Sequence, residues 1–301
     1  MPPDRVVVYP LGTMAGDLSA ESSAGPVPTT VYEPFRGRIP PVGGYLRNLW
    51  LRRQLAYQLA RTELKGRNLD TFFGQAWNIM NPILLGLVYY LLLTFVQEGS
   101  SSGLDRIALL LAGLFAFYFS RSCISLGATS VTSGSGLLLN TSFPTMLLPL
   151  SSVVSSLFSH ASALSVYGVF HVLSGQYLGV NLVYLPLIFF LQLLISAGLA
   201  LVFATATVYF RDTSRFLPYV LRIWMYLSPV IFLKDRIPES AQQWLQLNPL
   251  FGLLAAWQDV LIVGSSPSPY DLLIAAAWGF GLLLFGFVVF MARERDFAFR
   301  L

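Results

Sequence analysis

Charge is scarce in this sequence: Asp, Glu, Lys and Arg make up 11% of its 301 residues, against about 25% in an ordinary soluble domain. The shortage is uneven. No charged residue occurs between Asp70 and Glu98, between Arg121 and Arg211, or between Asp271 and Arg293. Each gap can house at least one membrane helix, which takes about 20 apolar residues, so a soluble fold is excluded. Lysine occurs only at Lys65 and Lys234, neither within a Gly-Lys-Ser/Thr phosphate loop, which excludes ATP binding of that kind by this chain. Cysteine is limited to Cys123, which can form no internal disulfide and reads as a buried, inert thiol. Histidine is limited to His160 and His171, with no carboxylate nearby and no second cysteine, which argues against a metal site. The two histidines stand about three helical turns apart and could share a face as a proton relay. No Asp or Glu lies between residues 122 and 210 to complete one, which favours histidines satisfied by Ser hydroxyls or backbone carbonyls.

What is present is apolar: 55% hydrophobic residues and a mean hydropathy of +0.63. The basic balance, pI ≈ 9.2, does not describe a nucleic-acid surface, because the arginines stand beside the hydrophobic runs, where they act as topology signals. The pattern predicts an all-α integral membrane fold with six transmembrane helices at 77–96, 107–127, 145–173, 182–210, 216–233 and 272–291. Arg47, Arg52, Arg53, Arg61, Lys65 and Arg67 precede the first span, Arg211 and Arg215 follow the fourth, and Arg293, Arg295 and Arg300 follow the last. The opposite loops hold only Arg106, Lys234 and Arg236, so both termini are expected on the cytoplasmic side.

Three regions precede or interrupt that scheme. Residues 1–44, rich in Pro, Gly and Ser, read as a flexible cytoplasmic tail without the pattern of a cleaved signal peptide. Residues 45–70 read as an amphipathic interface helix, with Leu46, Leu49, Trp50, Tyr57 and Ala60 on one face and Arg47, Gln54, Gln58 and Arg61 on the other. A second ridge, Leu51, Leu55 and Leu59, could meet protein rather than lipid. Residues 71–301 form the six-span domain. Within it, 237–262 is moderately apolar and contains Pro238 and Pro249. A seventh span there would place the last arginines outside, so an outer re-entrant helical segment between spans five and six is preferred.

Four ordered motifs carry a family resemblance. The run Arg61-Thr62-Glu63-Leu64-Lys65-Gly66-Arg67 with Thr71, Phe73-Gly74, Trp77 and Asn81-Pro82 resembles the lead-in to the first span of type-2 ABC export permeases. Phe143-Pro144 with Pro149, then Phe210-Arg211-Asp212, then Tyr226-Leu227-Ser228-Pro229-Val230 with Leu247-Asn248-Pro249-Leu250, follow in the same order. The whole is similar to the O-antigen, teichoic-acid and galactan exporter branch. Two positions depart from it: Asn68 replaces a Tyr, and Leu139-Asn140 replaces a basic pair. The resemblance implies a permease subunit in a bacterial cytoplasmic membrane that pairs with a second copy of itself and with two ABC ATPase subunits. It would export a polyprenyl-pyrophosphate-linked polysaccharide, O-antigen- or galactan-like. ATP and magnesium would belong to the partner, with no cofactor in this chain. A small-molecule or drug exporter of the same superfamily is the second reading. A polyprenol-dependent membrane glycosyltransferase would have to use Glu98 and Asp105, which form no paired acidic motif.

Site expectations follow from topology and resemblance together. Coupling to the ATPase is expected at Arg61, Glu63, Lys65 and Arg67, at Arg211 and Asp212, and along a short linker from Ser130 to Asn140. In that linker Ser133, Gly134, Ser135 and Gly136 would permit close approach, or simply join two helices. Arg121 and Arg222 could grip the carrier pyrophosphate or snorkel to lipid headgroups. Asn248-Pro249 would sit at the turn of an outer gate. The glycan conduit is expected to be lined by rings, Tyr118, Trp224 and Tyr226 with Tyr89 and Phe117, whose apolar faces stack on sugars.

Overall fold

The computed structural model describes residues 42–67, 72–77, 80–81, 83–84, 87–88, 91, 103–140, 143–173, 179–230, 234, 237–238, 240 and 244–301. Every regular element among them is helical. Two short helices, α1 (Val42–Leu51) and α2 (Arg53–Arg67), lead into four long ones. These are α3 (Gly103–Ser133), α5 (Leu147–Leu173), α6 (Leu185–Tyr209) and α9 (Pro269–Arg300). Between them lie α4 (Ser135–Asn140), α7 (Thr213–Tyr226) and α8 (Phe251–Gln258), the last running on into a π-turn at Asp259–Val263.

Four segments are long and apolar enough to cross a bilayer: Leu111–Ser133, Leu147–Val169, Val180–Tyr209 and Pro269–Arg300. They coincide with the expected second, third, fourth and sixth spans. The expected first span, 77–96, falls largely outside the described residues. The expected fifth, 216–233, does not run as one helix. α7 stops at Tyr226 after 14 residues, and 227–230 turn, with Val230 N–H reaching back to Ser228 O across Pro229. Pro229 has no N–H to continue a helix and disfavours helical backbone at Ser228. Hydropathy registers neither effect, so the apolar run looked longer than its helix.

The sequence also explains how polar residues survive inside these helices. Ser130, Thr132, Thr205 and Thr207 return their hydroxyls to carbonyls three or four residues back at 2.7–3.0 Å. Pro186 in the first turn of α6 and Pro269 at the start of α9 supply a preset φ where a missing N–H costs nothing. α9, 32 residues at ~1.5 Å each, is roughly 48 Å long and outruns a hydrocarbon layer of about 30 Å. Its charged end, Arg293 to Arg300, is the part left over.

Packing centres on α6, which is held by α3 on one side and α9 on another. Side chains are absent where backbones nearly touch: a Cβ on Gly198 would stand 2.5 Å from the Leu282 carbonyl carbon, and one on Gly286 would stand 2.5 Å from Gly198 O. Along this seam the two helices pack backbone to backbone, while much of α9 faces outward with Leu273, Phe280, Leu284 and Phe285 exposed. The main core gathers Leu114, Phe117, Ile188, Ile195, Leu221, Leu253, Leu254 and Ala275 from five helices.

The expected linker, Ser130 to Asn140, is corrected. α3 continues through Ser133, pauses at Gly134 and resumes as α4, because Gly134 N–H still reaches Ser130 O (2.9 Å) and Leu138 N–H reaches Gly134 O (3.1 Å). Small residues there produce a bend in a helix rather than a loop. The expected amphipathic helix is likewise divided at Arg52. Of its apolar face only Leu49 and Ala60 turn inward, while Leu46, Trp50 and Tyr57 are exposed. The second ridge supplies the protein contact, since Leu55 and Leu59 join Ala56 and Ala60 towards α5, and Leu51 stays outside. Ser152 donates to Glu63 at 3.4 Å and the Tyr57 ring meets Phe158 edge-on at 5.9 Å, so α2 lies antiparallel along the first turns of α5.

Candidate functional site

The residues with chemical interest collect in three places, and each is built from helix ends. The first is a cleft of about 380 Å³ lined by Thr132, Ser135, Thr207, Arg211, Ser214 and Leu301. α6 delivers its edge by ending at Phe210, whose extended backbone (φ −131°, ψ 94°) turns the chain so that Arg211 and Asp212 precede α7. Arg211 reaches the Leu301 carbonyl at 3.4 Å, while Asp212 pairs with Arg215 at 3.6 Å in full solvent, a contact worth little. Two expected coupling residues, Ser135 and Arg211, thus share one cleft. Ser133 and Gly136 are exposed beside Gly134, where a Cβ would meet the Leu148 side chain at 3.0 Å. Arg61 and Lys65 are exposed on α2, Glu63 is half-buried against Ser152, and Arg67 ends the helix. None of these four lines the cleft.

The second place joins α7 to the turn before α8. The Trp224 indole N–H donates to Asn248 Oδ1 at 2.5 Å, and that oxygen also accepts Leu250 N–H at 3.0 Å. Asn248 Nδ2 donates to Ser228 Oγ at 2.8 Å, and the Ser228 hydroxyl is in turn tied to Trp224 O. The two motifs around Ser228-Pro229 and Asn248-Pro249 are therefore one assembly. An Asx-type turn on Asn248 sets the start of α8, and Pro249 fits because its position needs no N–H. Gln258 Nε2 adds a bond to Pro229 O at 2.8 Å, and the chain at Val230 passes so close to α3 that a Cβ on Gly113 would lie 2.6 Å from Val230 O.

Around this assembly the expected conduit rings separate. Tyr226 is exposed at 57%, Tyr118 and Trp224 are half-buried, and Phe117, at 1% exposed, lies wholly within the core. Phe117 is thus a packing residue in this copy, turned inward because it shares a helical face with Leu114 and Ile124. Tyr89 lies outside the described residues. Arg121, half-buried on α3, holds its guanidinium 5.2 Å over the Tyr118 ring, whereas Arg222 is exposed on α7.

The third place was not singled out from the sequence. Glu294 on α9 accepts the Tyr45 hydroxyl at 2.5 Å and the Thr145 N–H, and the Met146 N–H faces the same carboxylate. Burial, with the neighbouring Glu294 charge, pushes the Tyr45 hydroxyl far above the ordinary tyrosine range, so it remains a donor. Glu294 was hidden in a terminal cluster of charges that reads as a topology signal.

Two more polar groups were also missed. Gln192 is fully buried in α6 and donates to Ala116 O and Ser120 Oγ while its Oε1 accepts the Trp257 indole N–H at 2.9 Å. Its signal was available, since Gln192 is the one carboxamide in α6. Asp271, with no exposed surface, pairs with Lys234 at the head of α9. The histidines depart from expectation as well. His160 stacks on Phe189 (5.7 Å, 4° between planes) beside Phe119, and the described partner of His171 is the Tyr167 hydroxyl at 3.2 Å. Tyr167 and His171 are four residues apart and so share a helix face, which brings a phenol rather than a serine within reach.

Comparison with known proteins agrees with this architecture. The family profile described as ABC-2 type transporter matches residues 54–261. An O-antigen export system permease protein RfbA of Myxococcus xanthus is 29% identical over 255 residues, covering 84% of this chain and 97% of the relative. A protein of the same name from Klebsiella pneumoniae is 26% identical over 208 residues, 69% of this chain and 80% of its own. The polysialic acid transport protein KpsM of Escherichia coli is 23% identical over 240 residues, covering 76% and 91% respectively.

Proposed function

The chain belongs to the ABC-2 type transporter family, its apolar helices make it a multi-pass membrane protein, and from that premise we propose that it is the permease of an ATP-driven polysaccharide exporter in a bacterial inner membrane. The observation that carries this reading is the alignment with an O-antigen export permease over 97% of that relative's length. Its cargo is a glycan linked to polyprenyl pyrophosphate, of O-antigen or galactan type. Two copies enclose the path and two ATPase subunits, which bind ATP and magnesium, drive it from the cytoplasmic side, where both termini of this chain lie.

Within that reading, the cleft with Ser135 and Arg211 and the α2 residues Arg61, Glu63, Lys65 and Arg67 receive the ATPase. Along the uncharged stretch from Ser130 to Asn140 the small residues suit docking by shape. Tyr118, Tyr226 and Trp224, with Tyr89, offer ring faces on which a neutral chain can slide through repeated weak contacts. Phe117 backs that wall from behind. Arg121 and Arg222 meet the pyrophosphate, for which a guanidinium fork is well shaped. Asn248 and Pro249 stand at the outer turn.

The test is export. A strain lacking its own O-antigen permease but keeping its ABC ATPase receives this chain, and surface glycan is measured by lectin binding. Restored surface glycan supports the reading. ATP-dependent efflux of small dyes with no glycan at the surface would replace it with the drug-exporter alternative.

A further inference from the structure

We infer that Glu294 is a positioning residue that couples the head of α5, together with α1, to the last membrane helix. The inference rests on the ATPase-driven reading above for its driving force and goes beyond it in naming the joint. Three elements far apart in sequence meet on one carboxylate. α9 contributes Glu294, α1 contributes the Tyr45 hydroxyl, and the start of α5 contributes the N–H groups of Thr145 and Met146.

The chemistry suits a mechanical link. The first N–H groups of a helix have no partner within it and carry its positive dipole end, so a carboxylate from a neighbouring helix both caps α5 and is held by it. Bonds to a charged acceptor are about twice as strong as neutral ones. The joint is seated rather than loose. The Tyr45 ring packs edge-on against Phe287 at 6.1 Å, and Met146 is buried with Val131, Leu201, Phe290, Met291 and Phe297. Thr145 directly follows Phe143-Pro144, and Pro144 O accepts Leu147 N–H, so the residue Glu294 holds is bonded into the turn that opens α5. α9 is also held to α6, by a close backbone-to-backbone seam and by the Tyr209 hydroxyl, which donates to Asp296 at 2.7 Å. The Glu294 bonds tie α9 in addition to α1 and to the head of α5.

The full chain is tested with its ATPase in proteoliposomes, as Tyr45→Phe, Glu294→Gln and Glu294→Ala, for glycan moved per ATP hydrolysed. Losing bonds to a charged group predicts about a tenfold lower ratio for Glu294→Ala, with ATP hydrolysis itself within about twofold. Glu294→Gln, which keeps an acceptor for Thr145 N–H but none for Tyr45, falls between. Tyr45→Phe keeps the ring contact and folds, lowers the ratio less, and adds nothing to Glu294→Gln. A second readout does not depend on cargo: maleimide labelling of Ala292→Cys, exposed on α9, against a native Cys123 that is fully buried. ATP should change that labelling rate in the parent and not in Glu294→Ala or Tyr45→Phe. An unchanged ratio, fewer complexes each with a normal ratio, or an ATP response identical in parent and variants overturns the inference. Should the parent move no glycan, the proposed function fails while the labelling still decides the role of Glu294; a parent whose labelling ignores ATP decides against it.

Discussion

The indole N–H of Trp224 and the side-chain carbonyl of Asn248 are 2.5 Å apart, and this bond ties the end of α7 to the turn that launches α8. Asn248 also serves Leu250 N–H and Ser228 Oγ. Replacing it by Ala strands the indole and Leu250 donors, at a cost of about 1–3 kcal/mol for each left unsatisfied. Trp224→Phe should lose less, and the double variant should show a coupling of about 0.5–3 kcal/mol in thermal melts of the purified protein. Strictly additive losses would show that the two side chains do not depend on one another.

Lys234 and Asp271 make a pair in which the carboxylate has no exposed surface. Lys234→Met leaves that charge buried alone, and about 3 kcal/mol should be lost. Adding Asp271→Leu to Lys234→Met should recover most of it, because the cost comes from the stranded charge. A double variant as unstable as the single one would point to packing instead.

Two glycines of the same sequence type should behave oppositely. Gly198→Ala drives a methyl into the α9 backbone, which has no side chain to yield, and about 1–3 kcal/mol is expected to be lost. Gly281, on the outer side of α9, leaves open space for 4 Å around an added methyl, and Ala there should stabilise the helix by up to ~1 kcal/mol. Equal melting shifts for the two variants would contradict the close α6–α9 approach.

Gln192→Leu fills the same space without polar atoms and strands the Trp257 indole N–H among apolar neighbours. The melting temperature should fall, and Trp257→Phe in the same background should restore part of it, since the stranded donor is then gone. No recovery would indicate that the Gln192–Trp257 bond is not the term that matters.

Much of this fold was legible in the sequence. Long apolar runs gave four of the helices because a period-independent apolar stretch needs no tertiary information to identify. α7 was misread for the opposite reason. Its buried stripe, Leu217, Leu221 and Met225, and its exposed apolar face, Phe216, Tyr219 and Ile223, run on in the sequence into Val230-Ile231-Phe232-Leu233, so the stretch reads as one span, and Pro229 marks where the helix gives way. The motifs at Ser228-Pro229 and Asn248-Pro249 could be recognised separately, but their union through Trp224 could not, since nothing in a linear pattern states that residues twenty apart share a hydrogen bond. Glu294 was illegible because a buried carboxylate and a snorkelling one look alike beside Arg293 and Arg295.

α8 is enclosed on every side, with all eight of its residues buried by α3, α6, α9 and its own π-turn. Such a helix is a fixed bearing rather than a shutter. It cannot tilt alone without opening the core of the subunit, so any movement that changes the shape of this end of the subunit must carry α8 with α3, α6 and α9 as one block. The working parts are then the surfaces that block turns against, and the stroke of the machine is set by how far its rim, not its axle, can travel.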